Sequence, residues 1–298
     1  MKKIILIMAA LLAPLALLAQ EKKGPYESSF ELPGSRAEVY KTVGDVKLKI
    51  YIYEPKGHKA GAKRPAIVFF FGGGWRGGTP RQFLEHCRYL ASRGMVALSA
   101  EYRLKDRHGT TPFECVKDGK SAVRWVKKNA GELGIDPDRI AGGGGSAGGH
   151  VAAATATVTG FEEQGEDTTI SPRPDALVLF NPVYDNSPQG FGHDRLGDRW
   201  QAFSPMHNIA AGAPPTVVFF GTEDQWAHSA AEYKERMEAV GSRCDLHLYE
   251  GQPHGFFNYR DGESEHYYLT LTEADKFLAS LGYIEGPPTL QRESSDGS

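Results

Sequence analysis

The sequence predicts an α/β fold in which helices flank a mostly parallel, twisted sheet. Short apolar runs, rich in β-branched and aromatic residues, alternate along the chain with longer amphipathic stretches. Each run ends in Gly, Asn or another polar residue, and two segments of alternating apolar and polar residues precede them. Continuous apolar runs are typical of strands buried on both faces of a parallel sheet. Their alternation with helices therefore indicates a doubly wound sheet.

The elements follow in order along the chain. Residues 38–42 and 46–53 predict an antiparallel hairpin that turns at Gly44-Asp45. Buried strands are predicted at residues 67–71, 96–100, 139–144, 176–180, 216–220 and 246–249. Helical spacing of apolar residues predicts helices at 81–92, 112–133, 146–156, 228–240 and 265–281.

The two ends of the 298-residue chain differ in composition from the rest. Residues 1–19 combine a basic start, an apolar run and a small residue, Ala19, which predicts a signal peptide and export to the periplasm or the medium. The apolar run is short for a membrane span, so no stable membrane association is expected after cleavage. Residues 20–285 are predicted to form one domain, and the polar tail 286–298 is predicted to be disordered.

Composition also argues against several partners and cofactors. The net charge is −3 with both signs interspersed and no Lys/Arg block, so nucleic acid is not an expected partner. No H-E-x-x-H or paired C-x-x-C pattern occurs, so no metal is expected. Cys87, Cys115 and Cys244 cannot all pair within one chain; an oxidising compartment allows one disulfide, and the sequence leaves its identity open.

A candidate nucleophile lies in Gly144-Gly145-Ser146-Ala147-Gly148, which fits the pattern G-x-S-x-G between a predicted strand and a predicted helix. A serine at such a sharp turn takes a strained backbone conformation, and glycines flank it because larger side chains would collide. The helix N-terminus then points towards developing negative charge. A glycine-rich loop with an ordinary serine is the alternative, since short motifs also occur by chance.

Partners for Ser146 are expected beyond the carboxyl ends of other strands, where ligands of doubly wound sheets bind. His254 follows the last predicted strand in a loop with flanking Gly and Pro, and it is the predicted base. Asp224 follows the strand before that one and is the predicted acid, which orients the imidazole. Asp185, one strand earlier, is the rival acid, and Asp224 is favoured over it.

Three glycines, Gly72-Gly73-Gly74, end the first buried strand. Because they carry no Cβ atoms, their backbone N–H groups can approach a substrate oxygen closely. The N–H of Ala147, directly after the serine, supplies a further donor for an oxyanion. A simple tight turn is the alternative for the glycine triplet alone.

These features, each at a strand end and in this order, resemble the α/β-hydrolase superfamily. Within it they resemble the hormone-sensitive-lipase-like carboxylesterases and the small carbohydrate acetyl esterases of the BD-FAE-like group. Further matching stretches are Glu101-Tyr102-Arg103-Leu104, Asp136-Pro137-Asp138-Arg139-Ile140, Ser204-Pro205 and Gly221-Thr222-Glu223-Asp224. The resemblance implies an α/β-hydrolase catalytic domain with a sheet of about eight strands, a small cap and an oxyanion hole formed by Gly73, Gly74 and Ala147. Two positions depart from the family pattern: Phe71 replaces the usual histidine, and Gly145 a frequent acidic residue.

The resemblance also implies a serine esterase that works through an acyl-enzyme without a cofactor. Residues 183–213, the expected cap, are short and polar, so a cleft open to water-soluble molecules is expected. Four aromatic side chains near the predicted site are expected to stack on sugar or aryl rings, with packing inside the loops as the alternative. They are Trp75, Tyr184, Trp226 and Phe256.

The expected substrate is an acetyl or other short acyl ester on plant or algal carbohydrate, with feruloyl esters or generic short-chain esters as alternatives. A peptidase of the prolyl-oligopeptidase type shares the core and the chain order, but such enzymes usually carry a propeller domain, for which this chain has no room. A non-catalytic carbohydrate- or partner-binding member of the fold is the alternative from another class. The complete set of Ser146, Asp224 and His254 argues against it.

Overall fold

A nine-stranded sheet forms the centre of the computed structural model, which describes residues 26–27, 30–260 and 264–291. The strands are β1 (Tyr26–Glu27), β2 (Arg36–Val43), β3 (Val46–Tyr53), β4 (Arg64–Phe70), β5 (Val96–Ala100), β6 (Ile135–Gly145), β7 (Ala176–Phe180), β8 (Thr216–Gly221) and β9 (Cys244–Tyr249). Their order is β1-β3-β5-β4-β6-β7-β8-β9, and β2 pairs with β3. The hairpin β2–β3 is antiparallel, as is the pair β3–β5, and all pairs from β5 to β9 are parallel. The predicted α/β class and mostly parallel sheet are thus confirmed.

The helices are α1 (Leu84–Ser92), α2 (Lys105–His108), α3 (Pro112–Lys128), α4 (Ala147–Thr157), α5 (Trp200–Phe203), α6 (Ala230–Ala239) and α7 (Glu265–Ser280). A capping box starts α3, because the N–H and the hydroxyl of Thr111 both donate to the Glu114 carboxylate, at 2.9 and 2.5 Å. The prediction that this helix continues to residue 133 is wrong. Gly134 takes a φ of 62° and the N–H of Ile135 bonds back to Ala130 O at 2.8 Å, which turns the chain into β6.

Burial explains why the central strands are so apolar. Every residue of β5, β7 and β8 is buried, whereas the first half of the edge strand β2 is exposed. Phe70 at the end of β4 pairs in register with Gly144 of β6. The carboxyl ends of these two neighbouring strands therefore lie side by side, which brings the chain after each of them to the same edge of the sheet.

The predicted signal peptide, residues 1–19, lies outside the described residues, as do 292–298. Within residues 286–291, Gly286 O accepts from Arg93 at 2.9 Å and the Thr289 N–H donates to the Tyr89 hydroxyl at 3.2 Å; the disorder of the tail 286–298 stays a prediction. All three cysteines are buried and unpaired. In the part of the chain that the structure describes, no helix has both the length and the apolar character needed to cross a bilayer.

A buried ionic cluster holds the loop after α4 against α3 and β2. Asp118 of α3 is completely buried, and its Oδ1 lies 2.7 Å from Lys41 Nζ and 2.8 Å from an Arg103 nitrogen. Glu163 in the loop lies 2.9 Å from the same lysine. Burial opposes ionisation of Glu163, but Lys41 and Arg103 outweigh it and hold the pKa of this carboxyl below its ordinary value. The stretch Glu101-Tyr102-Arg103-Leu104 thus contributes to the fold through its arginine.

Two histidines are completely buried in the helical layers. The His86 ring on α1 lies among aromatic rings, with centroids 5.3 Å from Phe180 and 4.9 Å from Tyr267, and neither nitrogen has a hydrogen-bond partner among the described residues. His150 on α4 packs inside, with Nε2 3.1 Å from Asn186 Oδ1. Burial lowers the pKa of each imidazole from 6.5 to about 3, so both are neutral in the folded protein at neutral pH.

We expect the free energy of unfolding to fall as the pH drops below 6.5, the ordinary pKa of histidine. The unfolded chain then binds protons that the buried imidazoles do not, which removes about 1.4 kcal/mol of stability per pH unit for each histidine. His86→Phe, which places a ring without nitrogens among the aromatic side chains, should remove one of the two contributions. Denaturant unfolding of both proteins from about pH 8 to pH 5.5 measures the slopes. Equal slopes for the variant and the wild type would show that His86 does not stay neutral.

Candidate active site

Four loops at the carboxyl edge of the sheet carry the predicted site residues. The glycine triplet 72–74 follows β4, Ser146 follows β6, Asp224 follows β8 and His254 follows β9. Because β4 and β6 are neighbours, the triplet lies against the serine: a Cβ added at Gly72 would be 3.3 Å from Ser146 Cβ. All four elements thus follow the carboxyl ends of strands of the same sheet.

A continuous line of hydrogen bonds joins three of these side chains. Ser146 Oγ lies 2.9 Å from His254 Nε2, and His254 Nδ1 lies 2.6 Å from Asp224 Oδ2. The Asp224 side chain is fully buried, whereas 35% of the His254 side chain is exposed. This arrangement is consistent with an imidazole that carries its proton on Nδ1, donates it to the carboxylate and accepts from the serine hydroxyl. The second carboxylate oxygen, Oδ1, accepts the N–H of Trp226 at 2.9 Å, which fixes the carboxylate plane.

The rival acid, Asp185, is engaged elsewhere. Its Oδ1 accepts the N–H of Ser187 at 2.8 Å, and its Oδ2 accepts the Ser187 hydroxyl at 3.1 Å. The nearest histidine nitrogen in an ion-pair arrangement is Nδ1 of His207, at 4.0 Å. Asp224, and not Asp185, is therefore the carboxylate that contacts His254.

The turn that presents Ser146 is strained and crowded. Ser146 has φ 54° and ψ −121°, a conformation that few non-glycine residues adopt. A Cβ at Gly148 would lie 2.0 Å from Phe70 O, so only glycine lets α4 approach β4 this closely. The departure at Gly145 has a similar reason, because a Cβ there would lie 2.4 Å from the ring of Phe257. An acidic side chain before the serine has no room in this chain.

Two backbone amides of the glycine triplet, those of Gly73 and Gly74, are unused. Gly73 and Gly74 have φ values of 125° and 62°, and the N–H groups of Arg76 and Gly77 both bond to Gly73 O. Among residues that the structure describes, the N–H groups of Gly73, Gly74 and Ala147 donate to no protein acceptor. Ala147 is the first residue of α4, where an N–H has no partner within the helix. These amides can therefore receive a negatively charged oxygen.

Phe71 stands where the family usually has a histidine, and other groups hold the loop. The Phe71 ring stacks on Tyr102 with centroids 4.4 Å apart, and the Tyr102 hydroxyl donates to Phe71 O at 2.5 Å. The N–H of Gly72 donates to Gln82 Oε1 at 2.6 Å. The loop is thus fixed on both sides of the Phe71–Gly72 peptide.

The Gln82 side chain continues as a relay to the histidine loop. Gln82 Nε2 donates to Asn258 Oδ1 at 2.8 Å, and Asn258 Nδ2 donates to Gly255 O at 2.7 Å, next to His254. The Gly72 N–H can only donate, so Gln82 must turn its amide oxygen towards it. This fixes the orientation of both side-chain amides in the three hydrogen bonds that lead from Gly72 to Gly255. Sequence analysis missed Gln82 and Asn258, since they lie far apart in the chain and no local pattern marks either.

Two of the four predicted stacking residues are corrected by the structure. Trp75 is 1% exposed and Tyr184 is completely buried, so neither ring faces a ligand. The Trp75 ring packs against His150, with centroids 4.9 Å apart, and Tyr184 stacks on Tyr233 at 4.1 Å. The alternative of packing inside the loops is the correct one for both residues.

The cap contacts the oxyanion loop through Arg195. Its guanidinium lies over the Trp75 ring at 4.9 Å and the Phe191 ring at 5.0 Å, and it donates to Gly74 O at 2.7 Å. The cap, residues 183–213, otherwise contains only short helical turns and α5. Its position is therefore coupled to that of the glycine triplet.

The remaining two predicted stacking residues stay at the edge of the site. Trp226 and Phe256 are both partly buried. The Trp226 ring contacts Phe191 edge to face at 5.3 Å, and Phe256 lines a small cleft together with His254. Both residues therefore keep their predicted positions beside the reaction centre, while their contact with a substrate stays a prediction.

Comparison with known proteins agrees with this geometry. The family described as BD-FAE matches residues 50–187, and the family described as alpha/beta hydrolase fold matches residues 191–258. The apo form of Thermogutta terrifontis esterase 2 is 46% identical and superposes with a TM-score of 0.83 over 88% of this chain and 100% of its own. The propionate-bound form of this esterase gives 45% identity and a TM-score of 0.81 over 86% and 97% of the two chains.

A more distant curated relative belongs to the same class. Carboxylesterase NlhH of Mycobacterium tuberculosis (strain CDC 1551 / Oshkosh) is 28% identical over 218 residues, which are 65% of this chain and 67% of NlhH. With these matches and this site, the chain belongs to the α/β-hydrolase carboxylesterases. The predicted class of enzyme, a carboxylic ester hydrolase, is confirmed.

We expect Gln82→Ala to lower kcat for a short-chain ester roughly tenfold, because the Gly72 amide loses its acceptor and the oxyanion amides move. KM should change little, since no substrate contact is removed. Gln82→Glu keeps the acceptor for Gly72 and should recover part of the loss. Steady-state kinetics with 4-nitrophenyl acetate measure both constants.

Gln201→Ala, on the exposed face of α5, is the matched control and should keep the wild-type constants. If Gln82→Ala folds with an unchanged melting temperature and keeps the wild-type kcat, the relay does not position the loop. An increase in KM alone would equally contradict this role.

Proposed function

We propose that this esterase acts through an acyl-enzyme on Ser146, with His254 as general base and Asp224 as the group that orients it. The observation that carries the proposal is the line of two hydrogen bonds, 2.9 Å from Ser146 Oγ to His254 Nε2 and 2.6 Å from His254 Nδ1 to Asp224 Oδ2. A serine hydroxyl is a weak nucleophile at neutral pH and needs such a base. The buried carboxylate stabilises the imidazolium that forms.

The reaction has two matched halves. Ser146 Oγ attacks the ester carbonyl carbon while His254 Nε2 takes the hydroxyl proton, and the carbonyl electrons move onto oxygen. The N–H groups of Gly73, Gly74 and Ala147 stabilise that oxyanion. The bond to the alcohol then breaks, and the alcohol leaves with the proton from His254. Water attacks the acyl-enzyme in the same way and releases the carboxylic acid.

Replacing each acid in turn tests the assignment of the triad. Asp224→Ala should lower kcat by about 10⁴-fold, because the imidazole loses the partner that sets its tautomer. Asp185→Ala is the matched control, since this residue also follows a strand but lies outside the hydrogen-bonded line, and it should retain most activity. Ser146→Ala should lose acyl-enzyme formation altogether. The kcat of each variant is measured with 4-nitrophenyl acetate, and circular dichroism checks that the variants fold. A larger loss of kcat in Asp185→Ala than in Asp224→Ala would refute the proposal.

We further propose that the substrates are short acyl esters, acetyl above all, on carbohydrate. The related Thermogutta terrifontis esterase 2 has been solved with propionate and with butyrate, which are short acids. A cleft beside the glycine triplet is lined by polar side chains that suit a hydroxylated ligand. Thr79, Gln82 and Asn258 are among them. The match to the BD-FAE family over residues 50–187 supports the same substrate class.

A panel of esters separates this proposal from its alternatives. We expect kcat/KM to be highest for acetyl and butyryl nitrophenyl esters, to fall for octanoyl, and we expect acetate release from acetylated xylo-oligosaccharide. Faster release of ferulate from feruloylated oligosaccharide would favour the feruloyl esterase. Activity on aryl acetates without release of acetate from any carbohydrate would favour a generic short-chain carboxylesterase. Activity restricted to long acyl chains would contradict all three.

A further inference from the structure

A cleft of about 760 Å³ opens from the oxyanion loop. Gly72 and Gly73 of this loop line it, together with three arginines: Arg81, Arg88 and Arg260. Its size is within the range of sites for small organic ligands, and it is far larger than an acetyl group. The cleft is therefore available to the alcohol portion of an ester.

The charges in this cleft are unbalanced. Arg88 is paired, because it lies 2.8 Å from Glu85 Oε1 and also donates to Pro33 O at 3.0 Å. Arg81 and Arg260 are exposed, and neither forms an ion pair with any residue that the structure describes. Among the described residues the lining thus presents two guanidinium groups without a paired carboxylate, on a chain whose net charge is −3.

The position of Arg260 connects this cleft with the reaction centre. Asn258 and Arg260 also line a second cleft of about 150 Å³, which contains His254 and Phe256. The two clefts therefore share Asn258 and Arg260 as lining residues, and the larger cleft also borders Gly72 and Gly73 of the oxyanion loop.

We infer that the cleft binds a carboxylate or sulfate group on the alcohol portion of the ester, as on an acidic carbohydrate. The planar donor pairs of a guanidinium match the oxygen pairs of both groups. A local positive charge also attracts an anionic ligand to a protein that is negative as a whole. This inference rests on the proposed function, because it specifies which esters that same site prefers.

Matched aryl acetates test the charge preference directly. The wild-type enzyme is compared on 3-acetoxybenzoate and its neutral amide, and on 3-acetoxybenzenesulfonate and its neutral sulfonamide, at about 20 and 300 mM NaCl. We expect kcat/KM to favour each anionic ester about tenfold after correction for the leaving-group pKa, and the preference to shrink at the higher salt concentration. The carboxylate and sulfonate arms show which anion the cleft prefers.

Arg81→Gln and Arg260→Gln should each reduce the anionic-to-neutral ratio, and the double variant should bring it close to one. Arg64→Gln is the matched control: Arg64 is exposed at the amino end of β4, on the opposite edge of the sheet, and has no ion pair among the described residues. It removes the same charge and should keep the wild-type ratio. A ratio near one in the wild type, or a ratio that both cleft variants leave unchanged, would overturn the inference.

Binding to the inactive Ser146→Ala protein separates this inference from the proposed function. Calorimetry with an acetylated xylo-oligosaccharide that bears a glucuronate should give tighter binding than with its neutral counterpart, and Arg81→Gln together with Arg260→Gln in the same background should abolish the difference. Equal affinities would refute the cleft assignment even if esterase activity is normal. Failure of the wild type to hydrolyse any of the acetates would instead refute the proposed function.

Discussion

The close approach of α4 to the end of β4 is the constraint on which the active site depends. The chain must turn from a buried central strand into a helix within one residue, and Ser146 therefore takes a φ of 54°. Such strain costs on the order of 1–3 kcal/mol and persists only where the surroundings over-determine it. Here the N–H of Ser146 bonds to Phe180 O at 3.0 Å, and its carbonyl accepts from His150 and Val183 at 3.0 and 3.2 Å. The hydroxyl is thus presented by a backbone that is held from two neighbouring elements.

The loops that carry the acid and the base are joined to each other as well as to the sheet. The N–H of Glu223 donates to Gln252 O at 3.1 Å, and the N–H of Gly251 donates to the Thr222 hydroxyl at 2.8 Å. Gly221 allows this contact, because a Cβ there would lie 2.0 Å from Gln252 O. The separation of Asp224 and His254 is therefore set by the backbone, and their side chains need little adjustment to meet.

Sequence alone predicts the elements whose apolar pattern is dictated by burial. The strands β5 and β7 fall on the predicted residues because both faces are covered, and the triad follows from strand ends and chain order. Element ends set by turns are less predictable: α3 ends at Lys128, and the chain enters β6 through a turn in which Gly134 takes a φ of 62°. The direction in which a side chain points is not predictable from sequence either. The sequence predicts that Trp75 lies near Ser146, but not that its ring packs inside against His150.

Contacts between distant parts of the chain are the least predictable. Gln82 and Asn258 meet only because the turn before α1 and the histidine loop flank the same glycine triplet, and neither residue type is unusual where it stands. Phe71 replaces the histidine that the family has before the glycine triplet. Tyr102 and Gln82, from other parts of the chain, hold the loop instead.

The contact of Arg195 with Gly74 O joins the cap directly to the glycine triplet beside Ser146. A cap transferred to this enzyme from another esterase would make a different contact, or none, with the carbonyl of Gly74. Changing the cap to alter selectivity would therefore also alter the rate, unless the transferred cap carries an equivalent arginine.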